Sequence, residues 1–94
     1  MQKIVFRKPF TFEGKEYKEL TLDLDSLTGK DIINASTEAR LLEQGDFSPV
    51  LELSKAFQAV IAAKAAKVPV EMLLSLPAKE FSNITLLVEN FLFE

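Results

Sequence analysis

The residues whose type and spacing could do chemistry are Asp23 and Asp25, two carboxylates two positions apart. On a strand both would point the same way, and such a pair can move protons or hold a hard cation. No further ligand stands at a matching spacing and the calcium-loop pattern is absent, so the pair reads as the wet face of an amphipathic strand. Gly14-Lys15 and Gly29-Lys30 each set a lysine after a glycine, but neither has the full glycine pattern of a phosphate loop. Gly29-Lys30 is explained equally well by the start of a capped helix. Lys3, Arg7, Lys8, Lys15 and Lys18 make the opening segment rich in cations, with Glu13, Glu16 and Glu19 interleaved. Charges on an edge strand are a common guard against aggregation.

The composition narrows the field further. The 94 residues include no cysteine and no histidine. Disulfides, thiolate metal sites, and Ser-His-Asp or Cys-His catalysis are thereby excluded within the chain. No catalytic residue, cofactor or metal site is expected. A net charge of −3 argues against a partner bound by neutralising phosphates, so no nucleic acid is expected. The longest apolar run, 59–63, falls far short of the roughly 18 residues a membrane span needs. The first residues lack the apolar centre of a signal peptide. These features predict a cytoplasmic protein with no membrane contact, built as one domain over 1–94 with a hairpin at 1–26 and a helical part at 28–94.

The fold class expected is α+β: an N-terminal β-hairpin followed by a cluster of three to four helices. Ile4, Val5, Phe6, Phe10 and Phe12 mark a first strand, and Pro9 demands an edge position or a bulge. Gly14 supplies the turn. Leu20, Leu22 and Leu24 alternate with polar residues along a second strand reaching 25. The even numbering of the apolar positions favours a loop with an odd number of residues, such as three with a glycine bulge. Thr28, with Asp31 three residues on, caps a helix that runs to about Gln44 and stops at Gly45. Ile32, Ala35, Ala39 and Leu42 form its inner stripe. Ser48-Pro49 starts a second helix over 49–67, which Pro69 ends. A helical turn over 70–74 and a last helix from Pro77 to about Leu92 follow.

Two places hold more apolar surface than one small core needs. One is the alanine-rich helix, with Ala59, Ala62, Ala63 and Ala66; the other is the last helix, where Leu86 and Phe93 leave the stripe near Phe91. A helix apolar nearly all round is either central or covered by a partner. These seven residues are the candidate partner-binding set. Phe93→Asp or Ala59→Glu is therefore expected to impair association more than folding.

The segment 8–22, with Lys8-Pro9-Phe10-Thr11-Phe12-Glu13-Gly14-Lys15 and then Glu19-Leu20-Thr21-Leu22, resembles the opening of phage tail assembly chaperones. Thr28-Gly29-Lys30-Asp31, Val68-Pro69-Val70-Glu71, Leu76-Pro77-Ala78-Lys79-Glu80-Phe81 and the closing Phe91-Leu92 follow in the same order. The resemblance covers nearly the whole chain. It implies a non-catalytic chaperone that binds the tape measure protein, keeps it soluble and helps tail tube subunits assemble around it. It also implies a protein working in the host cell cytoplasm and absent from the mature virion; a free edge strand and the apolar 49–67 helix make a homo-oligomer the expectation. Many members are made in two lengths by a ribosomal frameshift, and a chain stopping at a helix end suits the short form. The alternative is a structural or regulatory adaptor subunit of a phage or bacterial complex.

Overall fold

A computed structural model of the chain describes residues 1–43 and 54–94. Two antiparallel strands, β1 (Gln2–Phe12) and β2 (Lys15–Leu22), lead into a 3-10 turn (Leu24–Ser26) and four helices. These are α1 (Gly29–Glu43), α2 (Lys55–Ala66), α3 (Val70–Leu74) and α4 (Ala78–Leu92). The hairpin followed by helices is the α+β arrangement expected.

The hairpin turn has two residues, Glu13 and Gly14, both at positive φ, as the I′ turn of a tight hairpin requires. A three-residue loop is thus replaced by a shorter one, and the pairing Phe12↔Lys15 puts the register out of step with the even-numbered leucines. A bulge corrects it. Between the pairs Val5↔Glu19 and Phe10↔Tyr17, β1 inserts Phe6 to Pro9 opposite Lys18 alone. Beyond it Ile4 faces Leu20 and Gln2 faces Leu22, so Leu20 and Leu22 turn into the core. Pro9, which has no amide to donate, lies inside this bulge. β2 stops at Leu22, so Asp23 and Asp25 do not share a strand face. The Asp23 N–H donates to the carbonyl of Ala65 at 3.1 Å, using one of the free acceptors at the end of α2.

The cap of α1 matches its sequence signal. The Thr28 N–H donates to the Asp31 carboxylate at 2.9 Å, and the Asp31 N–H to the Thr28 hydroxyl at 3.4 Å. The Thr28 amide holds the Asp31 pKa below its ordinary value. Ala35 and Ala39 are buried, whereas Leu42 is exposed and Ile32 only half-buried. Gln44 and Gly45, the expected end of this helix, lie outside the described residues.

One unbroken helix over 49–67 does not form. Ser54 is extended, at φ −71° and ψ 126°, and its side chain accepts from the Phe57 N–H. This places the N-cap at Ser54 and starts α2 at Lys55, because the serine hydroxyl satisfies a donor that the helix leaves open. Ser48 and Pro49 lie outside the described residues. At its other end Lys67 takes the left-handed conformation, with Val68 N–H reaching back to the Ala63 carbonyl at 3.1 Å, before Pro69 prevents continuation.

α2 is the central helix. It contacts α1, α3, α4, β2 and the 3-10 turn. Every residue from Phe57 to Ala63 is buried. Small alanine side chains let the neighbours approach closely, while Phe57, Val60 and Ile61 fill the space between them. Polar groups tie the seams: Lys55 Nζ donates to Thr85 Oγ1 at 2.8 Å, and Gln58 Nε2 to Glu89 Oε1 at 3.4 Å. Lys64 reaches outward to Glu38 on α1 at 3.3 Å, the snorkelling its place near the helix end predicts.

The hairpin is anchored to α4 by one buried group. Glu80 stands three residues into α4 from its N-cap, Pro77. A glutamate there usually returns to the N–H of the cap, but proline has none. Its carboxylate instead accepts from the Arg7 N–H at 2.7 Å, an amide inside the bulge. Glu80→Ala strands that donor and is expected to cost about 1–3 kcal/mol in urea denaturation. Glu80→Gln keeps an acceptor and should lose clearly less; equal losses would show that the bond does not anchor the hairpin.

Candidate interaction surface

The outward residues of α4 and its C-cap recur at helical spacing: Asn83, Leu86, Asn90 and then Phe93. Leu86 is 51% exposed and Phe93 57%, large fractions for apolar side chains this size. Beside them lies a hollow of about 340 Å³ whose wall includes Leu86, Leu87, Phe91, Asn83, Asn90 and Gln2 from β1. The Gln2 side-chain oxygen is buried and has no hydrogen-bond partner among the described residues. An apolar floor with the amides of Gln2, Asn83 and Asn90 and the carboxylate residue Glu94 around it suits a contact that is hydrophobic at the centre and polar at the rim.

The seven candidate residues divide. Leu86 and Phe93 are exposed, Phe91 is half-buried beside the hollow, and Ala66 is half-buried at the end of α2. Ala59, Ala62 and Ala63 are 0, 1 and 5% exposed, enclosed by the chain's own α1 and α4. Within this fold the alanines form the axis of packing and Leu86, Phe91 and Phe93 form a surface. Sequence reasoning missed two further features. Ile33 and Leu41 are 67 and 73% exposed on the outer side of α1; their position off the inner stripe was a usable signal. A second hollow, of about 430 Å³, lies between the β1 bulge and the start of α4. It joins residues some seventy positions apart, so no local pattern announces it.

No group of three or more metal-ligating side chains occurs among the described residues, and no described helix is long and apolar enough to cross a membrane. The fold defines a small α+β protein with exposed apolar residues beside its hollows. The chain belongs to the phage tail assembly chaperones: the family model described as "Phage tail assembly chaperone proteins, E, or 41 or 14" matches residues 3–92. Membership gives it a chaperone role in phage tail assembly, with protein partners in that process. Neither a curated protein nor a solved structure matches the chain.

Proposed function

We propose that this chain is a non-catalytic, single-domain chaperone that holds the tape measure protein through the α4 surface around Leu86 and Phe91. The observation that carries this reading is the half-exposed Leu86 beside an amide-edged apolar hollow. A long helical client with an apolar stripe would lay that stripe against such a face. The tail tube protein is a further partner in the same process, and the chaperone works as a homo-oligomer in the host cell cytoplasm, leaving before the virion matures.

Co-expression with the tape measure protein tests this. The wild-type chain should keep the client soluble, and Leu86→Asp should reduce the soluble fraction about tenfold, the effect of losing one strong interface anchor. Its melting temperature should stay close to wild type, because surface changes alter stability by only about 0.5 kcal/mol. A client as insoluble with the wild-type chain as without it would refute the reading. Purified mature tails should lack the chain; its presence there would favour a structural adaptor.

A further inference from the structure

The hollow between the β1 bulge and the start of α4 has a charge pattern unlike that of the chain as a whole. Its floor is apolar, with Phe6, Phe10 and Leu76, and Arg7, Lys8 and Lys79 stand around it. Glu80 is the acidic residue of the wall, and its carboxylate is engaged by the Arg7 amide. None of the three cations forms an ion pair among the described residues. In a chain of net charge −3, this corner gathers positive charge over apolar surface. A segment fitting it would carry an exposed aromatic side chain next to an acidic one.

The chain itself displays such a segment. Phe93 is 57% exposed and Glu94 follows it, also exposed. The two features lie at opposite ends of α4. That helix has 15 residues, so at 1.5 Å each its ends are about 22 Å apart. Phe93 therefore cannot enter the hollow of its own chain. We infer that Phe93 and Glu94 of one copy dock in the Arg7–Lys79 hollow of a second copy, the ring on Phe6 and Phe10 and the carboxylate near Lys79. Two different patches meet, so the contact is heterologous and leads to rings or open filaments. The inference rests on the proposed self-association, and Glu94 also lines the hollow beside Leu86, so the contact is tested with no client present.

Sedimentation velocity of the purified chain, over a wide range of concentration and without any client, tests it. The wild-type chain should self-associate, more weakly as salt rises. Lys79→Glu and Glu94→Lys should each weaken association about tenfold, and the double variant Lys79→Glu/Glu94→Lys should recover most of the loss. Phe93→Ala should weaken it as well. Both charges are exposed, so melting temperatures should remain close to wild type. A chain that stays monomeric, single swaps without effect, or a double variant no better than the singles would each overturn the contact. Solubility of a co-expressed tape measure protein is a separate measurement; single swaps without effect overturn this contact and leave the proposed self-association standing, whereas a monomeric chain overturns both.

Discussion

Ala59→Glu is expected to abolish cooperative folding. Ala59 is 0% exposed on the central helix. A glutamate there would place an unpaired charge in the core, at a cost of about 3–5 kcal/mol, and overpacking would add roughly 1–3 kcal/mol. A small domain holds only about 5–15 kcal/mol in total. Circular dichroism should show no sharp thermal transition, and any loss of association would follow from the loss of fold. Sequence alone assigns the lesion at this position to association. A variant that melted like the wild type and yet failed to associate would return the alanine face to the surface.

Phe57→Ala should have the next largest effect. Phe57 is 0% exposed in the first turn of α2, and it is the largest of the fully buried side chains among the described residues. Truncation removes the ring and leaves a cavity, which costs about 3–5 kcal/mol. For a chain of this length each kcal/mol lowers the melting temperature by roughly 4–8 °C, so the midpoint should fall by at least about 12 °C. Phe57→Leu keeps much of the volume and should cost under about 1.5 kcal/mol. A loss below about 1 kcal/mol for the alanine variant would mean that the neighbouring helices do not close around this ring.

These two residues bear on function because they separate the parts of the molecule that hold it together from those that can meet another protein. Leu86 and Phe93 are exposed and can be changed with little effect on folding; Ala59 and Phe57 cannot. The Glu80–Arg7 bond stands between the two groups. It supports the fold, and it also sets the wall of the hollow proposed to receive a second copy.

Local chemistry was legible along the chain. Gly14 announced the turn, and Pro9 announced the bulge. Thr28 and Asp31 announced the cap of α1, and α3 spans the 70–74 expected. Pro69 and Pro77 marked breaks that the helices respect. Where expectation and structure part, competing local signals or distant contacts decide. An unbroken helix over 49–67 is the sequence expectation, yet Ser54 is extended and caps the described helix. An odd-numbered loop suited the leucines, but a three-residue shift at the bulge restored their register instead.

Residue order by itself determined the order and type of the elements, the absence of cysteine and histidine chemistry, and the family resemblance, because caps, turns and apolar periods act over a few neighbouring positions. Only the tertiary structure decided which apolar face is enclosed. An alanine helix can serve equally as an axis or as a docking strip, and the choice lies with α1 and α4, which close over α2. The same holds for the cationic hollow, whose walls come from Phe6–Phe10 and Leu76–Glu80. Its shape exists only once a carboxylate near one end of the chain accepts from an amide near the other.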